Sequence, residues 1–369
     1  MDSLGTGGAE RGLTLTLRHL DPTKVEAEVA YLWDPAPLRA DIEATGVRVH
    51  RIGVRLGVGA ILAIPRIRRL LLAGRFDAIH TQVLWASITG RIAGRLARVG
   101  VISHIANVET GGFRDRELPA RTARKARLLA RLDAWTGRRF VDRFVAITEA
   151  VRADPIRGAG WDRSRIDVVL RGQELGDLRE RAAEPVTPPL SGAGSPALLC
   201  VGRLAEQKGH RFVLEALPAI LAEHPDARLL LAGDGHLRPA LEERAHAFGG
   251  HVSFLGVRHD VPSLIAVADV FVFPSLWEGQ GNALLEAMAV GVPIVATDIP
   301  STGETLANAE QALLVAPGDA AALAAAVNRL LGDPSLAARL AENAQLRARA
   351  YDIDRTTRDL EAVYDRVLG

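Results

Sequence analysis

The sequence predicts an α/β chain made of two doubly wound domains, each a parallel sheet covered by helices. Three observations predict it. Short apolar runs alternate with helical stretches along nearly the whole chain. Several of those runs end on a glycine turn, as strands do where a ligand approaches backbone. A stretch without periodicity, AEPVTPPLSGAGSP at 183–196, parts two such series. At 369 residues the chain is too long for one core of ordinary size. The first domain is therefore expected over 1–183, a linker over 184–196 and the second domain over 197–350.

In the first domain, strands are expected at 28–33, 47–52, 78–81, 101–105, 143–148 and 166–170. Helices are expected at 37–45, 62–73, 87–98 and 121–143. The chain opens on a glycine-rich turn, Gly5-Thr6-Gly7-Gly8, that enters a helix. A Rossmann-type unit needs a strand before such a turn, and none precedes it, so the first strand of this domain is apparently missing. The second domain reads as strands at 197–201, 228–232, 252–255, 270–273, 293–297 and 312–315, with helices between them and two more at 334–349 and 355–367.

Composition narrows the class. Hydrophobic residues at 48% and charged residues at 24% are those of a globular enzyme and argue against wholesale disorder. A net charge of +1 gives no global attraction to nucleic acid. The lone cysteine, Cys200, excludes a disulfide framework and fits a reducing compartment. No signal peptide is expected, and the apolar runs are too short to span a bilayer. The expectation is a cytoplasmic protein, with peripheral attachment to the inner face of a membrane left open.

The richest stretch is 274–299, PSLWEGQGNALLEAMAVGVPIVATDI. A strand end runs into a glycine turn and then into strong helix formers. A helix opening out of such a turn presents free N–H groups and a positive dipole end to an anion, here from Gly281, Asn282, Ala283 and Leu284. Glu278 stands before the turn and Glu286 eight positions on, within an apolar run where an unpartnered charge is costly. A ribose diol would satisfy that second carboxylate; a solvated helix face is the plain alternative. Earlier, Gly202-Arg203 follows a strand and Lys208 comes five residues after the arginine. A guanidinium fork with a compact ammonium suits a diphosphate, though a loop with two surface cations reads alike. Gly233, in a further strand-end turn, permits close backbone approach.

Taken together, GGAER at 7–11, GRLAEQKG at 202–209, AGDG at 232–235 and the 274–298 element with its E-x7-E spacing closely resemble glycosyltransferase family 4, retaining enzymes of GT-B fold. The motifs recur in family order over essentially the whole chain. The resemblance implies two Rossmann-like domains facing across a cleft, with residues 351–369 forming a helix that crosses back to the first. It implies that Glu286 holds the nucleotide ribose and that Glu278 lies at the donor sugar. Arg203 and Lys208 would stabilise the departing diphosphate, Gly202 and Gly233 would line the donor site, and Gly7 and Gly8 would approach the phosphates from the first domain. Two cations and a helix dipole remove the need for a metal, so no metal or other cofactor is expected. Asp352-Ile353-Asp354 has a metal-binding spacing but stands where a helix N-cap explains it better.

The departures lie on the acceptor side. His80 fits the family's D-x-x-H-x-H pattern, with Gln82 in place of its second histidine. Asn107, rather than His104, registers near the place where relatives carry a sugar-facing histidine, which leaves His104 as a satisfied core residue. Arg171 opens Arg-Gly-Gln-Glu where the family has Asn-Gly-x-Asp. The basic stretch 121–143 mixes arginines with Trp135 and leucines; it suits either a solvated cationic face or an anionic membrane surface. The expected partners are a nucleotide-sugar and a glycan or lipid-linked acceptor, with no nucleic acid. The expected activity is sugar transfer with retention, in cell-envelope polysaccharide or glycolipid synthesis. The competing expectation is an N-terminally truncated, inactive or non-catalytic protein of the same fold.

Overall fold

Helix α1 (Gly8–His19) follows the first glycine turn directly, and β1 (Glu28–Tyr31), α2 (Arg39–Glu43) and β2 (Arg48–Arg51) come next. The computed structural model describes all residues except 6, 56, 106–119 and 187–194. The alternation continues with α3 (Ala63–Ala73), β3 (Ala78–Thr81), α4 (Leu84–Ala97), β4 (Gly100–Ile105), α5 (Ala120–Phe140), β5 (Arg143–Ala146), α6 (Glu149–Ala159) and β6 (Ile166–Val168). All strand pairs are parallel. They form two sheets, β1-β2 and β3-β4-β5-β6. Among the described residues the two sheets are not joined between β1 and β3. Met1–Leu4 run beside the end of β1, where Leu32 N–H donates to Met1 O at 3.2 Å and to Asp2 O at 3.0 Å. Leu4 is fully buried, and the Asp2 carboxylate accepts from Ala86 N–H at 2.6 Å at the start of α4. Burial raises the pKa of that carboxyl.

Arg91 on α4 ties this unit together. Its buried guanidinium donates to Ser103 Oγ on β4 at 2.8 Å and to Asp133 Oδ1 on α5 at 2.7 Å. Gly137 brings α5 against Trp161, since a Cβ there would lie 2.5 Å from the indole ring.

The second unit begins at Gln173 rather than after the linker. Helix α7 (Leu175–Ala182), which the sequence places at the end of the first domain, buries Leu175 and Leu178 in the second unit. Arg181 O accepts from Ser263 Oγ at 2.8 Å, and Arg181 itself donates to His259 O at 2.8 Å. These contacts, rather than chain composition, set the boundary. Much of the expected linker, 187–194, lies outside the described residues.

The unit continues with β7 (Ala197–Val201), α8 (His210–Glu223), β8 (Arg228–Ala232), α9 (Arg238–Ala245), β9 (Val252–Gly256), α10 (Val261–Ala266) and β10 (Val270–Phe273). Then come α11 (Asn282–Val290), β11 (Ile294–Thr297), α12 (Pro300–Thr305), β12 (Leu313–Val315), α13 (Ala320–Gly332) and α14 (Pro334–Ala348). The six strands are parallel in the order β12-β11-β10-β7-β8-β9. Strand order reverses between β7 and β10, so this is a doubly wound sheet with its switch point there. Near-continuous apolar strands such as Leu198–Cys200 and Val270–Phe273 are buried because helices cover both faces. The last helix, α15 (Ile353–Leu368), returns to the first unit. Leu360 and Val363 on it pack with Ile102, Val145 and Val169.

Candidate active site

Ligands of doubly wound sheets bind beyond the carboxyl ends of the strands at the switch point. In the second unit those ends belong to β7 and β10, and the predicted residues converge there. β7 runs into Gly202 and Arg203, then a tight turn over Glu206–Lys208 that closes at Gly209. β10 runs into Pro274, Ser275 and Glu278. Lys208 Nζ meets Glu278 Oε1 across this point, 70 positions apart in sequence, with both side chains largely buried. Ser275 Oγ donates to the same carboxylate oxygen at 3.3 Å. Lys208 Nζ also lies 5.6 Å from the centroid of the Phe273 ring.

Backbone packing fixes these turns. Gly209 has φ +64° and sits so close to β10 that a Cβ would fall 2.0 Å from Pro274 O. Gly233, with φ +144°, packs on the preceding turn, where a Cβ would meet Gly202 O at 2.0 Å. The two glycine turns are therefore in backbone contact, and Gly202 N–H donates to Ala232 O at 2.9 Å. Gln207 holds the 206–208 turn against the other side: its Nε2 donates to Trp277 O at 2.9 Å, and its O accepts from Leu276 N–H at 2.8 Å.

Helix α11 opens at Gly281, whose missing side chain leaves room for the Phe273 ring, 2.4 Å from where a Cβ would stand. No side chain caps this end. The first hydrogen bonds of the helix return from Leu284 and Leu285 to Gly281 O, which leaves the N–H groups of Asn282 and Ala283 outside the helical ladder. Glu286 lies half-buried one turn into α11, and Arg203 is exposed. The structure thus brings Lys208, Glu278, Gly202, Gly233 and the Gly281–Leu284 segment to one sheet end.

Four supporting residues escaped sequence reading: Ser275, Phe273, Gln207 and His210. His210 begins α8 next to Gly209; burial and the neighbouring Lys208 push its pKa down to about 4. A strand-end Pro-Ser and a lysine followed by Gly-His were the available signals for two of them.

In the first unit, Gly7 caps α1 and Gly8 begins it. Arg171 packs beside Gly12 on α1. His80 stacks on His104 with ring centroids 5.6 Å apart, and His80 Nδ1 lies 3.0 Å from Tyr364 Oη. Burial pushes the His80 pKa down to about 4 and the His104 pKa well below its usual range. His104 is not the satisfied core histidine expected, because its Nδ1 is sealed from solvent with no hydrogen-bond partner among the described residues. Asn107 lies outside the described residues. Asp354 pairs with His19 Nδ1 at 2.6 Å, and α15 starts immediately after Asp352, which accounts for that Asp-x-Asp by helix entry. Among the described residues no group of three or more His, Cys, Asp or Glu side chains is arranged to hold a metal ion. No described helix is long and apolar enough to cross a membrane.

Residues 7–172 match the family model of a glycosyl transferase 4-like domain, and residues 195–333 match that of glycosyl transferases group 1. Alpha-D-kanosaminyltransferase of Streptomyces kanamyceticus is 34% identical over 177 residues, 47% of this chain and 46% of that protein. The lipopolysaccharide core biosynthesis glycosyltransferase LpsE of Rhizobium meliloti is 37% identical over 192 residues, 52% of this chain and 54% of that protein. The chain thus spans about half the length of these curated relatives. A crystal structure of Anabaena HepE in complex with UDP-glucose superposes with a TM-score of 0.84 at 22% identity, covering 99% of this chain and 98% of that one. With a glycosyl transferase 4-like domain followed by a group 1 domain, each on a parallel sheet covered by helices, the chain belongs to the glycosyltransferases of GT-B fold.

Proposed function

We propose that the chain transfers a sugar from a nucleotide-sugar to a glycan or lipid-linked acceptor, with retention of anomeric configuration, in the manner of glycosyltransferase family 4. The single observation that carries this reading is the meeting of Lys208 and Glu278 at the switch point of the second sheet, beside the start of α11. Cleaving the bond between the sugar and the diphosphate places negative charge on the leaving oxygen. Lys208, Arg203 and the N–H groups of Asn282 and Ala283 supply positive potential for that charge, which is the largest usual term in such catalysis. Glu278 sets the position of the Lys208 ammonium and accepts hydrogen bonds from sugar hydroxyls. Glu286 holds the ribose, while Gly202 and Gly233 let the ligand approach backbone. This route uses no metal. On the first unit, Gly7 and Gly8 serve the phosphates, and His80, Asn107 and Arg171 serve the acceptor.

Glu286→Ala is expected to weaken nucleotide-sugar binding by about 2–3 kcal/mol, roughly 30–150-fold in Kd, through loss of charge-assisted hydrogen bonds. Calorimetry with UDP-, GDP- and ADP-sugars reads this and identifies the base. An unchanged Kd for every donor that wild type binds removes Glu286 from the site.

Helix α5 supports membrane attachment. Arg127, Leu128, Arg131, Trp135, Arg138 and Arg139 are all exposed on it, whereas its buried residues include Thr136 and Gly137. Cations interleaved with a tryptophan and a leucine fit an anionic lipid surface. Charge reversal at Arg127, Arg131 and Arg138 is expected to abolish sedimentation with anionic liposomes and leave the melting temperature unchanged; sedimentation equal to wild type refutes the attachment. The divided first sheet favours one second reading, a chain that binds the nucleotide-sugar without turning it over. The same calorimetry paired with a turnover assay separates the two.

A further inference from the structure

Strand β11 changes character at its last residue. Ile294, Val295 and Ala296 are aliphatic and buried, and Thr297, also buried, brings a hydroxyl into the same surroundings. A buried hydroxyl costs stability unless it finds an acceptor. Thr297 Oγ1 donates to Ser275 O at 2.5 Å, with Phe273 O at 3.4 Å. Both acceptors lie where the chain leaves β10.

The sheet explains why a side chain is needed there. The ladder between β10 and β11 ends at the pair Phe273–Ala296, whereas that between β11 and β12 runs one pair further, to Thr297–Val315. β10 has thus left the sheet where β11 still continues. Pro274 carries no N–H and cannot extend the ladder. The Thr297 hydroxyl spans the gap and captures the carbonyl of the next residue. Ser275 is itself buried, so that carbonyl needs a partner.

Ser275 also carries the hydroxyl that donates to Glu278 Oε1 at 3.3 Å. One residue is therefore held from β11 through its carbonyl and holds Glu278 through its side chain. On the other side, Leu276 N–H donates to Gln207 O at 2.8 Å, and Trp277 O accepts from Gln207 Nε2 at 2.9 Å. Residues 275–277 are pinned between β11 and the 206–208 turn, and Glu278 follows directly. Among these bonds, those from Gln207 move with the turn that carries Lys208, whereas the one from Thr297 is anchored in the sheet.

Resting on the role in transfer assigned to Glu278 above, we propose that Thr297 is a positioning residue for that reaction. Its hydroxyl sets where the chain leaves β10 and, through Ser275, where the Glu278 carboxylate stands.

Thr297→Val keeps the shape of the side chain and removes the hydroxyl; Thr297→Ser keeps the hydroxyl. Thr297→Ala takes the place of valine if that variant does not fold. Each is made alone and on a Glu278→Gln background, and nucleotide release from UDP-, GDP- and ADP-glucose is followed beside hydrogen exchange. Loss of the hydroxyl is expected to lower kcat about tenfold with KM changed less than about threefold. It is expected to speed exchange at the Leu276 amide by about tenfold. Thr297→Ser is expected to keep both near wild type. On the Glu278→Gln background, removing the hydroxyl is expected to cost less than about twofold more. Equal fold-losses on both backgrounds, wild-type kcat without the hydroxyl, or unchanged exchange at Leu276 overturns the proposal. These results leave the role of Glu278 standing when Glu278→Gln alone is slow. Wild-type turnover by Glu278→Gln overturns that role, and the proposal with it. Exchange is read without donor, so it decides even if the donor lies outside these three.

Discussion

Lys208→Ala is expected to lower kcat by about 100- to 1000-fold, some 3–4 kcal/mol of transition-state stabilisation, with a smaller change in KM. The ammonium stands at the switch point on a turn braced from both sides. On the proposed route it is therefore placed before the leaving group develops its charge and needs no rearrangement at that moment. The substitution also strips the buried Glu278 of its cation and leaves it Ser275 Oγ, so lost stability must be separated from lost chemistry. The double replacement Lys208→Met with Glu278→Gln does this. It removes both charges and is expected to melt close to wild type while remaining as slow as Lys208→Ala. Turnover restored in the double variant would mean that Lys208 serves only to neutralise Glu278. Initial rates of nucleotide release, with thermal melts alongside, decide the matter.

Gly209→Ala is the second large effect. The new methyl group would lie 2.0 Å from Pro274 O on a backbone at φ +64°. The strained φ costs about 1 kcal/mol or more, and the clash with a carbonyl forces the 206–209 turn away from β10. Lys208 moves with it. A loss of about 2–4 kcal/mol in stability and at least about tenfold in kcat follows, since small displacements of a charge-stabilising group are felt strongly. Gly249→Ala is the control. Its φ is +53°, but nothing lies within 4 Å of the added atom. It is expected to show strain alone, with turnover unchanged. Equal losses in the two variants would detach the effect from the site.

Much of this was legible in the chain because local chemistry encodes it. Ala283–Ala289 reads as a helix from its residue types, and Gly281 reads as its start. Glu278 and Glu286 stand out because carboxylates are costly in such surroundings. The contact between Lys208 and Glu278 was not legible, because no local rule joins residues 70 positions apart; the strand order of the sheet joins them. Phe273 and Gln207 were missed for the same reason, as each acts on a partner in another turn, whereas Ser275 acts on Glu278 three positions on. Helix α6 escaped notice because Pro155 interrupts its pattern, although Thr148 caps it by accepting from Val151 N–H at 3.1 Å. The expected boundary at 183–184 follows the Pro- and Gly-rich stretch, because such a stretch looks like a linker. Burial of Leu175 and Leu178 sets the real one at Gly172–Gln173.

The return of α15 to the first unit makes that unit discontinuous along the chain, with the second unit inserted into it. The order of synthesis then constrains the order of folding. Gln173–Asp352 emerges as one uninterrupted piece with its six-stranded sheet complete, and it is able to close on itself during translation. The first unit has most of its residues available earlier, yet Ile102, Val145 and Val169 stay uncovered until Leu360 and Val363 leave the ribosome. The part made first is finished last. In the interval its exposed apolar face is a target for chaperones and for wrong pairing, whereas the second unit is already protected.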